Sequence, residues 1–152
     1  LVNSPFQEEQ GKALAMFADF FKDNPLVMDQ WFSVQAGCPL PGGLERVQAL
    51  MQHEAFTLKN PNKVRALIGA FANQNLINFH RADGAGYRFL ADQVITLNAL
   101  NPQIASRLLA PLTRWRKYGS ARQALMKAEL ERILASGELS SDVYEVVSKS
   151  LA

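Results

Sequence analysis

The chain's two histidines are the first place to look for chemistry. His53-Glu54 could open an H-E-x-x-H zinc motif, whose second His must follow one turn later to share a helix face. Thr57 occupies that position, His80 stands far along the chain, and no Cys accompanies either histidine. No metal site is expected within the chain, and His53 reads instead as a cation near a helix C-terminus, complementing the helix dipole. A Ser or Cys nucleophile needs a positioned base and an orienting acid. No G-x-S-x-G elbow occurs, and no His or basic residue adjoins the single Cys38, which reads as an incidental thiol. Gly84-Ala85-Gly86 has two glycines of a phosphate loop but lacks the third and follows a polar turn. It is expected to be a left-handed turn before a helix. No catalytic residue is expected in this chain.

Polar groups at helix starts are a second kind of candidate. Arg65 lies in the first turns after Asn60-Pro61, with Asn62 at i−3, and Arg107 follows Gln103 at i+4. The second pair shares a helix face. Such groups at helix N-termini can converge on an anion or a peptide carboxylate. Pro111 cannot donate the hydrogen bond that the Arg107 carbonyl would normally receive, so a break or bend is expected beside Arg107. The alternative is that these are ordinary surface arginines. Arg114, Arg116 and Lys117 are basic but sparsely interleaved with aromatics, and they read as cations at a helix end.

The elements that must position these residues are helices. Asn24-Pro25, Asn60-Pro61 and Asn101-Pro102 each precede an apolar helical pattern. Asn is a preferred N-cap and Pro a preferred first helical residue. Their spacing suits stacked helical hairpins. Ser4-Pro5 opens a first helix with Ala13, Leu14, Phe17, Phe20 and Phe21 on one stripe. Val27, Trp31 and Val34 are expected inward on a second, and Leu44, Val47 and Met51 mark a third. Val64, Leu67, Ile68 and Phe71 give the cleanest face, at i, i+3, i+4 and i+7. A short helix spans about Asn75 to Arg81. Leu90, Val94 and Leu97 follow, then Ile104, Leu108, Leu112 and Trp115. Gly119-Ser120 reads as a stop and a cap before Met126, Leu130, Ile133 and Leu134. Ser140 to Asp142 caps the last helix, with Val143, Val146, Val147 and Leu151 toward the core. Period-two alternation is absent. The pattern predicts one all-α domain over residues 1–152, about nine helices in irregular hairpin repeats of the armadillo/HEAT type, wound as a right-handed superhelix.

Apolar residues make up 48% and charged residues 20%, and sixteen Lys and Arg against fourteen Asp and Glu leave a net charge of +2. That balance is globular and too weakly basic to call for nucleic acid or membrane partners. No apolar run approaches bilayer length. Starting at Leu1 with a helical pattern already under way, the chain reads as a piece of a longer polypeptide.

Four blocks carry a family resemblance: Asn60 to Phe71, Asp83-Gly-Ala-Gly-Tyr87, Asn101-Pro-Gln-Ile-Ala-Ser-Arg-Leu108 and Tyr144 to Ala152. With Val27-Met28-Asp29-Gln30-Trp31-Phe32, they make nearly the whole chain resemble the C-terminal helical domain of bacterial aminopeptidase N, a family of zinc-dependent alanyl aminopeptidases. The resemblance implies a cytoplasmic multidomain exopeptidase, with zinc in a catalytic domain absent from this chain. This segment would close the catalytic chamber against the catalytic and N-terminal domains of the same polypeptide. Arg65 and Arg107 would then face the chamber and meet peptide substrates, with Gln103 joining them. The alternative class is a free-standing helical-repeat adaptor that binds another protein in its groove.

Overall fold

The computed structural model describes residues 12, 13, 15–17, 19, 20, 23–38 and 42–152. It is all-helical, with no strand among the described residues and about the nine helices that the pattern predicts. Two compact units divide the chain, Leu1–Asn78 and Phe79–Ala152.

In the first unit, α1 (Pro25–Ala36) packs on α2 (Gly43–Leu50) and on a long helix. That helix runs from α3 (Pro61–Val64) through a π turn (Arg65–Gly69) into α4 (Ala70–Gln74). All three expected Asn-Pro starts form as caps. The Asn24 side chain accepts from Val27 N–H at 3.3 Å and that of Asn60 from Asn62 N–H at 3.0 Å. In the second unit, Asn101 accepts from Ile104 N–H at 3.3 Å. The Val64, Leu67, Ile68 and Phe71 stripe is wholly buried.

The inward face of α1 differs from expectation. Met28, Trp31, Phe32, Gln35 and Ala36 are buried, while Val34 is exposed. Apolar residues surround this helix, so the sequence permits two stripes, and packing selects the one that holds both aromatic rings. Phe17 and Phe20 are exposed, while Ser4, Pro5, Leu14 and Phe21 lie outside the described residues. The connector from α1 is fastened by Asn75, buried just beyond α4. Its Nδ2 donates to the carbonyls of Ala36 at 2.9 Å and Cys38 at 2.8 Å, and its Oδ1 accepts from Asn78 Nδ2. The first bond satisfies a carbonyl that the end of α1 leaves without a helical donor, and the second holds the chain just beyond it. The short α5 (Leu76–Phe79) follows.

In the second unit, α6 (Ala85–Leu100) packs on α7 (Pro102–Leu108) and α9 (Ser120–Leu134), and α10 (Ser141–Leu151) packs on α7 and α9. Gly84 has φ 74°, the expected left-handed turn before a helix. The break forced by Pro111 is present: α7 ends at Leu108 and a separate turn, α8 (Ala110–Thr113), follows. Leu90, Val94, Leu97, Ile104, Leu108, Leu112 and Trp115 are buried as expected. Two details change. Gly119 is the N-cap of α9 and Ser120 its first helical residue, because the extended backbone at Gly119 already starts the helix. Leu134 is exposed, one position past the buried Ile133. Ser140 does cap α10, accepting from Val143 N–H at 3.2 Å.

Candidate functional site

Arg65 opens the π turn of the first unit. A π turn bonds N–H groups five residues back, so a carbonyl within it loses its usual donor. Here Ala70 N–H reaches Arg65 C=O, and the Ser33 hydroxyl of α1 donates to Ala66 C=O at 2.9 Å. Two positions before Arg65, Lys63 points the opposite way, as residues about 200° apart on a helix must. Lys63 is buried, pairs with Asp29 at 2.7 Å and lies 5.8 Å from the Phe32 ring centre. Arg65 faces solvent, and its Nη1 donates to Asn62 Oδ1 at 3.0 Å.

Gln103 and Arg107 belong to the second unit, one turn apart on α7 and both exposed. The Gln103 carbonyl accepts from the Ser106 hydroxyl at 2.8 Å. The Arg107 side chain makes no hydrogen bond or ion pair among the described residues, so the expected common face does not create a direct bond between the two. Arg107 sits just before the Pro111 break, where the buried ring of Pro111 opens the short α8.

A third cluster escaped the sequence reading. His80 Nδ1 lies 2.6 Å from the hydroxyl of the fully buried Tyr87. The Tyr118 ring packs on the imidazole at 4.6 Å. The Arg122 guanidinium donates through Nε and Nη2 to the His80 carbonyl, at 3.2 and 3.1 Å. Burial, and then the Arg122 charge, hold the His80 pKa below its ordinary value, and burial pushes the Tyr87 hydroxyl up. His80 and Tyr87 flank the Gly84 turn, which folds one back on the other. Beside them, Asp83 accepts from Ala85 N–H at 3.1 Å and pairs with Arg81 at 2.9 Å. Those two contacts, the backbone N–H first, hold its carboxyl below the usual range.

These residues do not fit a zinc ion. His53 Nδ1 accepts from Ala55 N–H at 3.0 Å, and its ring packs against Trp31 and Phe32. His53 stands just past the end of α2, with its backbone N–H bonded to the Leu50 carbonyl at 3.0 Å. Among the described residues, no group of three or more His, Cys, Asp or Glu is placed to hold a metal ion. The basic residues are drawn into the fold as well. Arg116 lies 4.8 Å and Lys127 5.9 Å from the Trp115 ring centre, and Arg116 also donates to the Ala152 carbonyl. No helix among the described residues is long and apolar enough to cross a membrane.

A family model described as "Domain of unknown function (DUF3458_C) ARM repeats" matches residues 1–152. The chain is similar to aminopeptidase N of Escherichia coli (strain K12), with 48% identity over 136 residues, covering 90% of this chain and 16% of that protein. Aminopeptidase N of Caulobacter vibrioides is 49% identical over 140 residues, covering 92% of this chain and 16% of the relative. Among solved structures, Legionella pneumophila aminopeptidase A in complex with aspartic acid superposes with a TM-score of 0.90 at 40% identity. That match covers 96% of this chain and 17% of the other. The chain thus spans about one sixth of the length of the relatives it matches.

Proposed function

The chain belongs to the DUF3458_C family of ARM-repeat domains, and from that membership we propose that it is the C-terminal helical domain of a zinc-dependent aminopeptidase. It closes the catalytic chamber and contributes substrate contacts but no catalytic residue. One observation carries this reading: near-half identity to two bacterial aminopeptidases N across nine tenths of the chain. The partners are then the catalytic and N-terminal domains of the same polypeptide, and the substrates are peptides. Zinc belongs to the catalytic domain, and the setting is the cytoplasm, as the family resemblance implies.

Arg65, Gln103 and Arg107 supply what such a wall needs. Each is exposed, Arg107 has no acidic partner within the described chain, and the partner of Arg65 is a neutral amide. A guanidinium with uncommitted charge binds a carbonyl or carboxylate of the peptide beyond its first residues. Holding that distant part restricts the peptide while its amino end is cut.

The test is Arg107→Ala in the full-length enzyme. A lost hydrogen bond to a charged group should lower kcat/KM on peptides by roughly ten- to a hundredfold. Single amino-acyl chromogenic substrates, too short to reach this wall, should lose much less. Equal losses on both would mean damaged domain docking, and no loss on either would return the arginines to ordinary surface.

A further inference from the structure

The strongest new relationship joins Asn60, Asn62 and Arg65. Asn60 Oδ1 accepts the Asn62 backbone N–H at 3.0 Å, which fixes the first turn of α3. The Asn62 side chain is thereby left free of capping, and its Oδ1 accepts from Arg65 Nη1 at 3.0 Å. The opposite side of this turn is fixed too, by the buried Lys63–Asp29 pair and by the Ser33 bond to Ala66. The backbone on both sides of Arg65 is therefore anchored, and Asn62 orients the guanidinium.

The chemistry of the partner matters as much as its place. Arg81 pairs with Asp83, and Arg132 with Asp92 and Glu129. Arg65 has a neutral amide instead, and no acidic group pairs with it among the described residues. An amide oxygen orients a guanidinium without neutralising it, so the remaining donors keep their full attraction for an anion.

We infer that Asn62 is a positioning residue that holds Arg65 ready for the C-terminal carboxylate of the peptide substrate. This rests on the chamber-wall reading above and deepens it: the pair would make the enzyme favour free-acid peptides over their C-terminal amides.

The experiment uses the full-length enzyme and one alanine-only peptide, supplied as free acid and as C-terminal amide, so that the sole variable carboxylate is the terminal one. The unmodified enzyme should favour the acid, and Arg65→Ala should remove that preference. Asn62→Ala should raise KM for the acid about three- to tenfold, the effect of one ordinary net hydrogen bond, with kcat changed less. The double variant should be no worse than Arg65→Ala alone, because both changes remove one interaction. Asn62→Asp keeps the acceptor but adds a neutralising charge, and should also lose the preference. Folding is spared, since Asn62 is exposed and Asn60 does the capping. If Arg65→Ala abolishes the preference while Asn62→Ala retains it, or if the two losses simply add, the positioning role is overturned and the Arg65 reading stands. If Arg65→Ala leaves both peptides unaffected, both readings fall.

Discussion

Gly86 meets Phe79 so closely that a Cβ on the glycine would lie 2.9 Å from the Phe79 Cα and nearer still to its carbonyl. The obstacle is backbone rather than a flexible side-chain end, so it cannot swing away. Gly86→Ala should therefore destabilise the second unit by about 2 kcal/mol or more, as overpacking does in tight cores. Chemical denaturation of the chain would measure this. A neutral effect would mean that α6 is free to slide away from Phe79.

The buried Lys63–Asp29 pair should show the asymmetry of interior charges. Asp29→Ala removes the carboxylate that faces the buried Lys63 ammonium beside Phe32 and should cost about 2–3 kcal/mol, discounted from the fully buried case because Asp29 keeps some solvent contact. Lys63→Met with Asp29→Leu removes both charges and should recover most of that loss. A double variant as unstable as Asp29→Ala would show that shape, not charge, governs the site.

Acid should weaken the second unit through His80. Its folded pKa is depressed, so between that value and the ordinary value of 6.5 the unfolded chain binds more protons than the folded one. Stability is then fully present above the ordinary value and declines as pH falls below it. The melting temperature should drop in that window, and His80→Gln should flatten the decline. An unchanged slope in the variant would remove His80 as the cause.

Purified alone, the chain should melt cooperatively with a helical circular dichroism spectrum, hold no stoichiometric zinc and release no amino acid from alanyl amides. Metal analysis and activity assays check this directly. About one tightly held zinc per chain, or turnover that survives further purification, would overturn this expectation, since the described residues group no three His, Cys, Asp or Glu to hold a metal.

The parts of the fold legible in the sequence are those set by local chemistry. Asn-Pro starts became caps because Asn and Pro each favour their position regardless of what packs against the helix. The α3–α4 stripe was equally clear, and so was the break before Pro111, since a missing N–H cannot be restored by packing. The α1 face was not legible, because Leu26, Val27, Met28, Trp31, Phe32 and Val34 encircle it and only tertiary contacts choose among them. At the candidate site, the i−3 spacing of Asn62 and Arg65 was visible, but their hydrogen bond and the π turn were not. Within the turn, the Ala66 carbonyl takes its bond from Ser33, far away in sequence. His80 and Tyr87 were within reach of sequence reasoning, since the turn at Gly84 folds the chain back between them.

The two tryptophans divide between the units. Trp31 is enclosed with Phe32 and His53 in the first, and Trp115 is bonded through its indole N–H to the Ser150 carbonyl in the second. Each half thus carries its own intrinsic fluorophore. Trp31→Phe and Trp115→Phe would yield two single-colour records of one denaturation experiment, and superimposable curves would identify a single cooperative transition where the chain divides into two compact bodies.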